Sequence, residues 1–166
     1  SQKLAKMATD LYAGESATYR AAKDIENRIS ILESEGKNHQ EAELKGVEEY
    51  VIECSMLKVA LSDDAQNIAD EAIQIYGGMG YSTETPIESA WRDSRIARIY
   101  EGTNEINRLV SIGMLIKKAL KGHVDLITEA EKVAEELTGI PSFDIPDFSE
   151  LFSEEKNIIK NLKKIF

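Results

Sequence analysis

The chain has 166 residues, 42% hydrophobic and 30% charged, so one domain with a packed core is expected rather than wholesale disorder or a fibrous repeat. Thirty acidic against 20 basic residues leave a net charge of −10, which repels phosphate backbones and anionic headgroups and argues against nucleic acid as a partner. No apolar run approaches the roughly 20 residues of a transmembrane segment, and one cysteine with two histidines excludes an internal disulfide and is too few for a Cys/His zinc site.

In chain order, the first residues lack the apolar stretch of a signal peptide, so a soluble, unexported protein is expected. The chain starts at Ser1 with Leu4 already in helical phase with Met7, Ala8 and Leu11, which suggests a piece of something longer. The apolar spacing continues through Tyr12, Tyr19, Ala22, Ile25, Ile29 and Leu32 and predicts one long helix over 2–34, stopped by Gly36. Asn38 followed by Glu41 reads as a capping box. A second long helix is expected from near His39, its stripe running Leu44, Val47, Val51, Cys54, Leu57, Leu61, Ala65, Ile68, Ala72 and Ile75 to the stop at Gly77-Gly78. Thr85, Pro86 and Glu88 form the strongest start signal, for a third helix over 86–100. Gly102 interrupts, Thr103 can cap again, and Ile106 to Leu120 carry a fourth helix to about Lys121. The fold class is therefore all-α, an antiparallel up-and-down bundle of four main helices over 1–122. Residues 123–166, with ten acidic and five basic side chains, read as the start of a helical extension: helical phase from Val124 to Leu137, a break at Pro141 and Pro146, and an amphipathic end at Ile165-Phe166.

Two segments depart from plain helix and loop. Gln74-Ile75-Tyr76-Gly77-Gly78-Met79-Gly80-Tyr81 holds three glycines in four positions, a conformational cost that a helix end alone does not require. It reads either as a Schellman-type cap with a tight turn, or as a place where a phosphate or ribose oxygen meets backbone N–H groups. A helix precedes it, so it is not the strand-to-helix dinucleotide fingerprint. In Tyr100-Glu101-Gly102-Thr103-Asn104-Glu105, a carboxylate stands between two predicted helices with glycine directly behind it. Glu101 reads as a solvated helix-end residue or, if projected into an apolar cleft, as a base able to remove a weakly acidic C–H proton. Cys54 falls on the apolar stripe as a small core residue, and His39 and His123 read as surface residues. Arg92, Asp93, Arg95 and Arg98 read as ion-paired helix residues. No metal site is expected.

The order and spacing of Gln74 to Tyr81, Arg92-Asp93, Arg95-Ile96 and Ile99-Tyr100-Glu101-Gly102-Thr103-Asn104-Glu105-Ile106-Asn107-Arg108 resemble the C-terminal helical domain of the acyl-CoA dehydrogenases. The resemblance covers about residues 1–120, and the polar insert over 34–45 and the extension after Gly122 look most like the very-long-chain branch. It implies a flavoenzyme that uses FAD to oxidise an acyl-CoA thioester to the trans-2-enoyl-CoA and passes electrons to an electron-transferring flavoprotein. Glu101 matches the family base, Gly102 a substrate contact, and Thr103, Asn104 and Glu105 a turn that touches FAD. Gln74, Ile75, Tyr76, Gly77 and Gly78 match a segment that holds the FAD of a neighbouring subunit. The family's N-terminal helical domain and middle β-domain are not in these residues, so the fragment alone is expected to be inactive. Self-association as a homodimer or homotetramer is implied, and the lone cysteine fits a reducing cytoplasm. The competing readings are a non-catalytic helical oligomerisation module and a fragment of an acyl-CoA oxidase-like enzyme.

Overall fold

The structure, a computed structural model, describes residues 2–138 and 152–162. Seven helices account for it: α1 (Gln2–Ser34), α2 (His39–Glu49), α3 (Val51–Tyr76), α4 (Pro86–Ile96), α5 (Asn104–Leu120), α6 (Leu126–Thr138) and α7 (Ser153–Leu162), with a 3-10 turn at Gly77–Tyr81. Among the described residues there is no strand, and the fold is all-α as the periodicity predicts. The chain divides into two compact units, Ser1–Lys117 and Lys118–Phe166.

In the first unit, α1 packs on α2 and α3, and α3 packs on α4 and the 3-10 turn. The cross-contacts fix the direction. His39 Nδ1 donates to Glu33 at 2.6 Å, Arg28 Nε donates to Glu49 at 2.6 Å, and Lys3 pairs with Glu71. Gly46 lies against Ile29, and Gly14 against Leu61. Partner numbers on α1 fall as those on α2 and α3 rise, so α1 and the α2–α3 arm form an antiparallel hairpin. The Trp91 indole N–H donates to Asp70 at 3.1 Å and Arg98 pairs with Asp63 at 2.7 Å, so α4 and the turn after it run along α3 in the opposite sense.

Helix ends follow local chemistry. At Gly36, φ is +91° and the bonds Gly36 N–H to Glu33 and Lys37 N–H to Leu32 make a Schellman stop. The Asn38 side chain accepts the Glu41 N–H at 2.9 Å, while the Glu41 carboxylate turns to Lys45, so half of the expected capping box is formed. The Thr85 cap is a correction: its backbone is extended as a cap requires, but its hydroxyl donates to the Met79 carbonyl at 2.9 Å and bonds no helix N–H.

The second predicted helix is also corrected. It breaks at Tyr50, whose φ of −101° and ψ of 20° leave the α region and whose N–H bonds Val47 three residues back. The β-branched Val51 and Ile52 that follow lose side-chain freedom in a helix and lower the cost of the break. The buried face of α3 differs from the apolar stripe as well. Leu61 and Ile68 lean toward α1, whereas the buried residues are Ser55, Val59, Ser62 and Gln66. Cys54, expected in the core, is exposed, because that polar face is the one turned inward.

The second unit holds α6 and α7, both largely exposed, with a Lys132–Glu129 pair at 2.7 Å on α6. The helical phase predicted from Val124 to Leu137 corresponds to α6. The predicted break at Pro141 and Pro146 and the ending at Ile165-Phe166 lie outside the described residues.

Candidate functional site

The glycine segment caps α3. Gly77 takes φ +60° and ψ −143°, which differs from the left-handed helical cap of a Schellman stop, and the chain enters the 3-10 turn. Gly80 is buried, and a Cβ there would stand 2.7 Å from the Ile73 carbonyl oxygen and 2.9 Å from Ile73 Cα, so this turn folds back onto the last turns of α3. Gly78 differs from both: its φ is not positive, and among the described residues beyond its chain neighbours nothing lies within 4 Å of where its Cβ would be. Neither packing against the described residues nor backbone conformation requires a glycine there. Gln74, Ile75, Tyr76, Gly77 and Gly78 are all exposed.

The second segment is a strained joint. Glu101 has φ +56°, in the left-handed region that a residue with a Cβ rarely adopts, and Gly102 follows at φ +84°. Glu101 itself is exposed, so the apolar cleft expected around it is not supplied by this unit. The Gly102 carbonyl accepts two bonds, from Lys58 Nζ at 2.7 Å and Asn107 Nδ2 at 2.8 Å. Thr103 caps α5 by accepting the Ile106 N–H at 3.3 Å. The Glu105 carboxyl is held below the usual carboxylate range by its own backbone N–H and the Thr103 hydroxyl, with the charges of Arg108 and Arg98 adding.

Asn104 is 1% exposed, and its side chain faces inward. Its Oδ1 accepts from Lys58 Nζ at 2.9 Å, and its Nδ2 donates to Ser62 Oγ at 2.9 Å and Asp63 Oδ1 at 3.0 Å. Asp63 also receives Arg98 at 2.7 Å and Arg108 at 3.0 Å. Arg98 pairs as expected, although α4 ends at Ile96, short of the predicted limit at 100, so Arg98 lies in the turn after it and its partner on α3, while Arg92 pairs with Glu88 within α4. His39 is a surface residue with two carboxylate neighbours, Glu33 and Glu43.

Sequence reasoning missed Lys58, Ser62 and Asp63. Lys58 and Ser62, four residues apart, share a face of α3, and Asp63 follows Ser62; all three bond the Asn104 side chain. The available signal was a polar trio interrupting the apolar stripe opposite a glycine joint. The two predicted segments are not brought together: α3 carries the joint near Ser62 and the glycine turn beyond Tyr76, about 20 Å apart at 1.5 Å per residue. No described helix is long and apolar enough to cross a membrane, and no cluster of metal-ligating residues occurs among the described residues.

Comparison with known proteins follows the same residues. The family model "Acyl-CoA dehydrogenase, C-terminal domain" matches residues 1–113. A probable acyl-CoA dehydrogenase of Bacillus subtilis is 42% identical over 166 residues, covering 99% of this chain and 27% of that protein. The pig mitochondrial short-chain specific acyl-CoA dehydrogenase is 44% identical over 115 residues, covering 69% of this chain and 24% of its own length. The crystal structure of an acyl-CoA dehydrogenase complexed with FAD from Bacillus anthracis superposes with a TM-score of 0.86 at 43% identity, over 98% of this chain and 27% of that one. The chain thus spans about a quarter of the length of the relatives it matches. Its match to the domain over 1–113 and its agreement with these relatives establish that the chain belongs to the acyl-CoA dehydrogenase family, as a C-terminal domain.

Proposed function

We propose that this chain is the part of an FAD-dependent acyl-CoA dehydrogenase that supplies the catalytic base, Glu101. The observation that carries the reading is the joint itself: an exposed carboxylate on a left-handed residue, held there by hydrogen bonds from α3 and α5. Strained backbone of this kind persists where surrounding structure over-determines it, and it concentrates at sites of chemistry. In this reading Glu101 removes a Cα proton from the acyl thioester while a hydride leaves Cβ, and the Cα–Cβ double bond of the trans-2-enoyl-CoA forms. Bound FAD supplies the acceptor for that hydride. In this reading Gly102, beside the base, is a substrate contact; within the chain its φ of +84° and the Asn107 Nδ2 standing 3.1 Å from where a Cβ would be already favour glycine.

The residues fit the cofactor in two places. Gly78 leaves open an approach that a Cβ would narrow, in the exposed segment from Gln74, and Thr103 and Glu105 stand at the start of α5. The Asn104 side chain is occupied inside the fold, so Thr103 and Glu105 are the side chains of that turn available to FAD. The separation of the glycine turn from the Glu101 joint supports assigning Gln74 to Gly78 to the FAD of a neighbouring copy. Exposed Leu4, Leu11, Tyr12 and Tyr19 on α1 support self-association as a homodimer or homotetramer. We further infer an electron-transferring flavoprotein as acceptor, and a cytoplasmic location that suits the single exposed Cys54. The family domain ends near Gly122, where 123–166 begin a helical extension; the change of compact unit after Lys117 supports this limit.

The test is Glu101→Gln in the full-length flavoenzyme. Glutamine keeps the shape but cannot accept the α-proton, so FAD and acyl-CoA binding should persist while anaerobic flavin reduction by acyl-CoA is nearly lost. Bleaching at the parental rate would remove Glu101 as base and favour the non-catalytic module.

A further inference from the structure

We infer that Lys58 is a positioning residue for the Glu101 carboxylate, an inference that rests on the reading of Glu101 as base. Three observations converge on it. Glu101 and Gly102 both have positive φ, so the peptide that aims the carboxylate occupies a conformation the chain does not favour by itself. The Gly102 carbonyl, at the end of that strained pair, is gripped by the Lys58 ammonium at 2.7 Å across 44 positions of sequence. The same ammonium reaches the Asn104 Oδ1 at 2.9 Å, so one side chain bridges the joint and the first residue of α5.

The half-buried Lys58 takes part in no ion pair among the described residues, and both of its bonds go to neutral oxygens. Withdrawing an ammonium from water for two carbonyl oxygens is a poor exchange for stability alone. It ties the joint to α3, within the regular helix Val51–Tyr76.

Asp63 does related work around the joint, not at it. It receives Arg98, three residues before Glu101, and Asn104 and Arg108, which follow it. Because Ser62, Asp63, Asn104, Arg98 and Arg108 keep their mutual bonds when Lys58 is replaced, α5 stays docked on α3. What is lost is one of the two bonds on the Gly102 carbonyl, leaving Asn107 alone to resist rotation of the strained peptide. The consequence falls on where the carboxylate points, and a misplacement of about 1 Å at a reacting group costs about 100-fold in rate.

The test uses the full-length, FAD-loaded enzyme with Lys58→Met, Lys58→Arg and Glu101→Gln beside the parent. Two rates are read per bound flavin: anaerobic flavin reduction by acyl-CoA, and exchange of the acyl α-proton in deuterated water followed by proton NMR. Lys58→Met should retain flavin and keep KM within about 3-fold, while kcat and α-proton exchange fall together by about 100-fold. Lys58→Arg, which can donate to both oxygens, should recover to within about 10-fold of the parent. Parental exchange and reduction per flavin in Lys58→Met would overturn the inference even if total activity falls through lost flavin, because that is the behaviour of a merely structural lysine. If Lys58→Met does not fold, Lys58→Gln is read by the same two rates, and parental values there overturn the inference equally. Glu101→Gln separates the two levels: parental reduction in that variant would refute the base assignment itself, whereas a dead Glu101→Gln beside an unaffected Lys58→Met would refute only the positioning role.

Discussion

Replacing Asn104 by alanine should cost the fold far more than an asparagine at a helix start ordinarily does. The side chain is fully enclosed and makes hydrogen bonds with two charged groups, Lys58 and Asp63, and with the Ser62 hydroxyl. Bonds to charged groups contribute about 1.5–3 kcal/mol each. The partners are not orphaned by the change: Lys58 keeps the Gly102 carbonyl, Asp63 keeps Arg98 and Arg108, and Ser62 keeps the Val59 carbonyl. The loss therefore belongs at the low end of the summed range, about 3 kcal/mol. With a urea slope of about 2 kcal/mol/M, the midpoint should fall by about 1.5 M. The assay is urea unfolding of the chain followed by far-UV circular dichroism, with the exposed Asn67→Ala as a control expected within about 0.5 kcal/mol. A midpoint for Asn104→Ala that coincides with the Asn67→Ala control, at an unchanged slope, would refute the view that this network holds the joint to α3.

Gly80→Ala should destabilise the chain by about 1–3 kcal/mol, because its Cβ would meet the Ile73 backbone, while Gly78→Ala should leave urea stability unchanged yet weaken FAD retention in the full-length enzyme. Equal stability losses for the two would show that the turn is not packed as described. His39 is raised above its ordinary value near 6.5 by its hydrogen bond to Glu33 and then by the charge of Glu43. Its contribution to stability is accordingly full below pH 6.5 and lost as pH rises through the higher folded value. An NMR titration of the imidazole should give a midpoint above 6.5, and a midpoint at or below it counts against the pairing. The isolated chain should self-associate through the uncovered apolar side chains of α1; a monomer of 18.5 kDa by light scattering across a wide concentration range would count against this.

Helix existence was legible because local signals agreed. The first helix ends where Gly36 can take positive φ, and Asn38 caps the next because its side chain is the right length for the Glu41 N–H. The break at Tyr50 was not legible, since the apolar spacing runs through it without interruption and only the packing against α1 and the β-branched pair after it mark the place. Facing was misjudged on α3 for a related reason. Apolar periodicity ranks leucine and isoleucine as interior, but the interior here is decided by what Asn104 needs, and that is serine, aspartate and lysine. Glu101 was legible as an anomaly beside Gly102, whereas its own left-handed conformation was not, because nothing in its residue type announces it. The motif groups Asn104 with Thr103 and Glu105 in one turn, and nothing in that grouping announces that its side chain is enclosed while the Glu105 side chain is exposed.

The seam of Ser55, Ser62 and Gln66 on α3 also bears on how sequences of this kind can drift. An oily seam between helices is forgiving, since a leucine that slides along its groove exchanges one set of neighbours for a similar one. A seam in which the Ser62 hydroxyl and the Asp63 carboxylate meet the Asn104 amide has a single alignment in which these donors meet their acceptors, and a displacement strands several at once, as Gln66 Oε1 on the same helix is already buried without a partner among the described residues. Substitution of Ser62 by leucine would add contact area and would still be expected to fail, by forcing Asn104 out of its place. Positions on this face should therefore change in concert or not at all, while the apolar residues of α1 are free to exchange for one another.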